Sequence, residues 1–250
     1  MDVYWLEQRE VDVPPNNDWL SASELACLNA MRFPKRRADW RLGRWTAKYA
    51  LSFYLNALGD RQALASIEIR PAASGAPEVF VADRPAPAAI SLSHCNGNAL
   101  CAIAPFGTAL GCDLELVEPR SDAFIADYFT AEEQELVAQA AAADRSFLST
   151  LLWSAKESAL KALHQGLRLD TRSATVNLPE RTTAPKPDEE PRAANPSPDL
   201  EHCCSVWHPL EVRCTSGEVF RGWWQQTGNL MRTLVAAPAP SSPIILRIAA

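Results

Sequence analysis

No apolar run in this 250-residue chain approaches the roughly 18 residues that span a bilayer, so no segment reads as a membrane helix. The opening MDVYWLEQREVDVPP lacks the basic and then apolar layout of a secretory signal, and a cytoplasmic protein is the expectation. A basic excess is also missing. The net charge is −6, which argues against a general nucleic-acid binder. There is no Walker A glycine loop and no short-period repeat. The seven cysteines (27, 95, 101, 112, 203, 204 and 214) are odd in number and scattered, which favours reduced, mostly buried thiols over a disulfide framework. Cys-x-x-Cys spacing is absent, and a zinc site from His202, Cys203, Cys204, His208 and Cys214 is disfavoured, because adjacent cysteines chelate one tetrahedral ion poorly.

The composition, 47% hydrophobic and 22% charged, is that of a globular chain with room for one large domain or two compact halves. VYWL (3–6) reads as a strand, and Ser21-Ala-Ser-Glu24 as a capping box opening a helix through about Met31. A second helix runs from about Lys35 to Leu58, with Trp45, Tyr49 and Phe53 as its core stripe. Arg37, Arg41, Arg44 and Lys48 share another face of it, and Lys35 and Arg36 add to a basic block in which Asp39 is the only acid. A solvated helix face is the plain reading of such a row. The shortage of interleaved acids points to an anionic ligand.

From Ser66 the pattern turns to strands at 66–70, 78–82, 89–93, 99–105 and 110–116, separated by turn-forming Gly and Pro. Thr130-Ala-Glu-Glu133 is a second capping box, ahead of a helix reaching about Ala143. Another helix spans about Asp144 to His164, with Gly166 as its stop signal. Residues 179–200 are rich in proline and charge and read as an exposed loop or disordered insertion. Strands follow at 205–212, 218–226 and 230–238. The order of elements fits two halves of mixed character, 1–108 and 109–250.

Three short pieces carry the chemistry: SLSH (91–94), GCDLE (111–115) and WSAKESALK (153–161). Asp113 and Glu115 lie two apart on a strand, so both carboxylates share a face and suit a hard cation such as Mg²⁺. Glu157 and Lys161 lie four apart and share a helix face. Taken singly, each piece has a plain structural reading: strand alternation, a surface ion pair, a loop histidine. Their order and spacing are more specific. Together with Arg44-Trp45-Thr46-Ala47-Lys48, Gly75-Ala76-Pro77 and Phe129-Thr130-x-x-Glu133, the arrangement resembles the Sfp-type 4′-phosphopantetheinyl transferases over roughly residues 30 to 178.

That resemblance implies an α+β fold of two similar halves related by a pseudo-two-fold, with coenzyme A in the cleft between them. It implies Mg²⁺-dependent transfer of 4′-phosphopantetheine to a serine of an acyl, polyketide or peptidyl carrier protein by a monomer, with no nucleic-acid or membrane partner. Asp113, Glu115 and Glu157 match the metal cluster, and Lys161 the lysine near the diphosphate. Glu157 is also the candidate general base, and which acid binds metal and which takes the proton stays open. Ser93 and His94 match phosphate-contacting positions, and Arg37, Arg41 and Arg44 are candidates for gripping the coenzyme A phosphates. One departure is Ala76, where many relatives carry a basic residue that Arg70 or Arg84 would have to replace here. The rival readings are a catalytically inactive adaptor of the same fold and a different Mg²⁺ phosphotransfer enzyme.

Overall fold

A computed structural model describes residues 1–57, 63–165, 169–179 and 206–246. The first half runs β1 (Tyr4–Arg9), α1 (Ala22–Ala30), α2 (Pro34–Ala57), β2 (Ile67–Pro71), β3 (Pro77–Val81), β4 (Arg84–Pro85), β5 (Ala88–Cys95) and β6 (Asn98–Pro105). The second runs β7 (Ala109–Leu116), α3 (Asp122–Tyr128), α4 (Ala131–Gln139), α5 (Arg145–Ala162), β8 (Ala174–Asn177), β9 (His208–Cys214), β10 (Val219–Thr227) and β11 (Leu230–Ala237). After it β12 (Ile244–Ile245) crosses back to pair in parallel with β1. The strands form a sheet ordered β12-β1-β6-β5, a second ordered β7-β11-β10-β9-β8, and a small β2-β3-β4 sheet.

The fold is α+β, and the two halves repeat one plan. In each, the opening strand (β1, β7) pairs antiparallel with the closing strand (β6, β11), which also pairs with the strand just before it (β5, β10). The repeat extends to single atoms. Both capping boxes form, and each acidic member does a second job. Glu24 Oε2 accepts from the Ser21 amide and from Lys48 Nζ of α2 at 2.5 Å, while Oε1 accepts from the Ile69 amide of β2. Glu133 Oε2 accepts from the Thr130 amide and lies 2.7 Å from Lys156 Nζ of α5, while Oε1 accepts from the Val176 amide of β8. Each carboxylate thus ties a short helix, a long helix and a strand together. Both lysines are fully buried, so neither charge is tolerable without its partner.

The period-two alternation of the strands sorts side chains into layers. Leu6, Ile90, Cys101 and Ile103 face α2, whose buried side is Ala47, Ala50, Leu51, Tyr54 and Leu55. Met231 and Val235 face α5, together with Leu151, Leu152, Ala155 and Ala159. Between the two sheets lie Val3, Trp5, Leu100, Ala102, Leu110, Cys112, Leu114 and Leu234. Arg232 of β11 crosses this layer to Glu7 of β1 with two hydrogen bonds of 2.6 and 2.9 Å, both side chains nearly inaccessible.

Several local readings change. Trp45, Tyr49 and Phe53 are half-buried and form a ladder with Trp19 beside the true core stripe of α2. The fourth helix stops at Gln139, short of Ala143, and α3, β4, β8 and β12 were not expected; each is too short for its periodicity to stand out in a sequence window. Five cysteines lie among the described residues, all unpaired, and Cys101, Cys112 and Cys214 are buried. Cys203, Cys204, His202, Gly166 and nearly all of 179–200 lie outside the described residues.

Candidate active site

Gly111 makes the site possible. A Cβ at this position would lie 1.7 Å from the Ser158 carbonyl oxygen, so only glycine lets the backbone of α5 cross directly over β7. Ser154 and Ser158 fasten the crossing by hydrogen bonds to Thr233 Oγ1 on β11 at 2.8 and 2.7 Å. Two turns of α5 are thereby pressed against the strand that carries Asp113 and Glu115.

At this crossing Lys161 Nζ donates to the Cys112 carbonyl at 3.0 Å and to Asp113 Oδ1 at 2.8 Å. Ser93 Oγ, from β5, donates to the same Oδ1 at 2.8 Å. Ser91 Oγ accepts from the Cys112 amide at 2.9 Å, so the SLSH strand braces β7 from the first half. Glu115 accepts from Trp153 Nε1 and from Arg120, each at 3.0 Å. Burial, with the charges of Asp113 and Glu115 added, pushes the Glu157 carboxyl up to about 7. Burial and Asp113 raise Glu115 as well, against the pull of Arg120 and Trp153. Burial opposes the charge on Lys161, but Asp113 and Glu157 outweigh it and hold its pKa above the usual lysine value. Two buried carboxylate oxygens, Asp113 Oδ2 and Glu157 Oε1, have no hydrogen-bond partner.

Beside this acidic centre opens a cavity of about 670 Å³ with walls from both halves. The first half contributes Arg44 of α2, Ile69, Arg70 and Pro71 of β2, the 74–77 loop and Ile90–Leu92 of β5; the second contributes Leu110, Lys161, His164 and Gln165. Among the described residues no carboxylate lines it, although the chain as a whole is acidic. Lys161 belongs to both places and connects them.

Residues 109–202 match the family model described as the 4′-phosphopantetheinyl transferase superfamily. The matched stretch starts with β7 and includes Asp113, Glu115, Glu157 and Lys161. Among solved structures the chain is similar to the holo-[acyl-carrier-protein] synthase (AcpS) of Thermotoga maritima, at 19% identity and a TM-score of 0.34, over 52% of this chain and 74% of that one. Comparison with curated proteins gives no match.

The match of residues 109–202 to that family model raises the question whether a divalent ion fits the site. Among the described residues no three His, Cys, Asp or Glu side chains stand ready to hold one, because protein partners already occupy Asp113 Oδ1 and both oxygens of Glu115. The orphaned Asp113 Oδ2 and Glu157 Oε1 do fit, since Mg²⁺ is commonly bound through one or two carboxylates, with water and substrate phosphate completing its shell.

The basic row of α2 divides. Arg37 donates to the Leu28 and Met31 carbonyls at the end of α1, and Arg41 to the carbonyls of Pro14 and Asn16, so neither lines the cavity. Lys48 is committed to Glu24. Arg44 alone of the row reaches the cavity, 3.9 Å from Glu24, and burial lowers its pKa. His94 is exposed at the end of β5, past the cavity wall, and Ser93 faces Asp113. Arg70 lines the cavity where Arg84 does not. His164 and Gln165 were not singled out in the sequence as site residues; the available signal was their place between the end of a helix and Gly166.

Proposed function

We propose that this protein transfers the 4′-phosphopantetheine group of coenzyme A to a serine hydroxyl of an acyl, polyketide or peptidyl carrier protein, releasing 3′,5′-ADP. The observation that carries the proposal is the pairing of an acid-free, cation-lined cavity with an acidic centre through one residue, Lys161. A ligand with several phosphates and an apolar part matches the cavity, where Arg44, Arg70 and Lys161 stand beside Ile69, Ile90, Leu92 and Leu110.

Glu157 is assigned as the general base. A carboxylate with a pKa near 7 and a free oxygen is poised to take the serine proton at Oε1 as the serine oxygen attacks phosphorus. The bond between that phosphorus and the bridging oxygen of the diphosphate breaks, and charge develops on the 5′-phosphate of the departing 3′,5′-ADP. Lys161, kept protonated by Asp113, lies beside that charge and stabilises it. Asp113, through its free Oδ2, would hold Mg²⁺, which would supply charge neutralisation at the diphosphate, while Glu115 stays engaged by Trp153 and Arg120. Ser93 keeps Asp113 oriented. Because both cavity walls come from one chain, a monomer suffices.

The test is the rate of carrier-protein modification with coenzyme A and Mg²⁺ by wild type and by Asp113→Asn, which keeps the shape of the side chain. The expected rate for the variant is lower by at least about a hundredfold. A rate within a factor of two of wild type contradicts the assignment of Asp113.

A further inference from the structure

Among the described residues that line the cavity, His164 carries a ring N–H that no protein group accepts. Helix α5 closes with the Gln165 amide donating to the Leu160 carbonyl at 3.1 Å and the His164 amide to the Lys161 carbonyl at 2.9 Å. This paired closure places His164 one residue beyond the cap, at φ +56°, the left-handed position that glycine fills with least strain. A side chain here is held at a backbone cost, and it is set at the cavity wall.

Arg70 and Lys161 are engaged by carboxylates, whereas Arg44 keeps its Nε without a hydrogen-bond partner. Arg70 is paired with Glu68 and Asp83, Lys161 with Asp113, and Arg44 stands beside Glu24. The His164 ring is exposed and has no hydrogen-bond partner among the described residues. A favourable meeting with the negative end of the helix would account for an imidazole at this terminus, but it leaves the ring's N–H unused.

Resting on the reading of the cavity as the coenzyme A site, we propose that His164 is a ligand-contacting residue that donates a hydrogen bond to a phosphate oxygen of bound coenzyme A. It thereby adds a neutral or positive donor from the second half to a cavity whose arginines come from the first.

The test is calorimetric titration of coenzyme A and dephospho-coenzyme A into wild type, His164→Gly and His164→Asn. Both replacements adopt the left-handed conformation readily, so the melting temperature should hold or rise. The expected Kd for coenzyme A rises roughly tenfold in both variants, the scale of a hydrogen bond to a charged group. A loss seen with coenzyme A alone assigns the contact to the 3′-phosphate, and an equal loss with both ligands assigns it to the diphosphate. Unchanged Kd values for both ligands, with tight binding by wild type, overturn the proposal and leave His164 as a helix end only. Failure of wild type to bind either ligand sinks the assignment of the cavity itself.

Discussion

At Glu157 burial and the like charges of Asp113 and Glu115 all favour the protonated form, and only Lys161 opposes them. The folded protein keeps this proton up to about pH 7, whereas an ordinary glutamate loses it near 4.5. The resulting stabilisation is complete below pH 4.5 and is lost as pH rises through 7. In chelator-treated protein, Glu157→Gln should therefore match wild type near pH 4 and exceed it at pH 8 by about 1–2 kcal/mol, a figure reduced for the partial exposure of the side chain. Chemical denaturation at the two pH values checks this, and equal stability at pH 8 would remove the pKa shift from the account. Arg44→Ala should raise KM for coenzyme A several-fold while leaving kcat nearly intact; an unchanged KM would exclude Arg44 from the phosphates. Residue chemistry was legible where spacing alone brings groups together, as for Glu157 and Lys161 on one helix face. It failed for Arg37 and Arg41, because what neutralises them is the backbone of α1 and of residues 14–16, and carbonyl acceptors leave no mark in a sequence.

Two elements carry the geometry of the site, and each has a residue that sets its position. Gly111→Ala would drive a methyl group into the Ser158 carbonyl and lift α5 from β7. A loss of about 3 kcal/mol or more is expected in urea melts, with transfer activity falling along with it. A stable, active Gly111→Ala protein would show that the crossing is looser than described. The clamps Glu24–Lys48 and Glu133–Lys156 make the matching prediction in both halves. Glu24→Gln and Glu133→Gln should each cost about 3–5 kcal/mol, because a fully buried lysine is left without its counter-charge. A cost below about 1 kcal/mol in either would argue against a buried ion pair there. The capping boxes were plain in the sequence as Ser21-x-x-Glu24 and Thr130-x-x-Glu133. Their second role was not, since the partner amides and lysines lie 23 to 45 positions further on and only the tertiary fold brings them near.

The molecule is held as one body by the layer between its two sheets, by the Glu7–Arg232 pair that crosses it, and by β12 returning to β1. These links keep Arg44 and Arg70 from one half facing Lys161 and His164 from the other, so the cavity depends on both halves. The central claim is that this cavity and the neighbouring carboxylates form a phosphopantetheinyl transferase centre. The most direct test is the intact mass of an apo carrier protein incubated with this protein, coenzyme A and Mg²⁺. A gain of one phosphopantetheine, abolished by excess chelator, is the predicted result. No gain on acyl, polyketide and peptidyl carriers, from a protein that binds coenzyme A, would contradict the claim and leave a binding module in place of an enzyme.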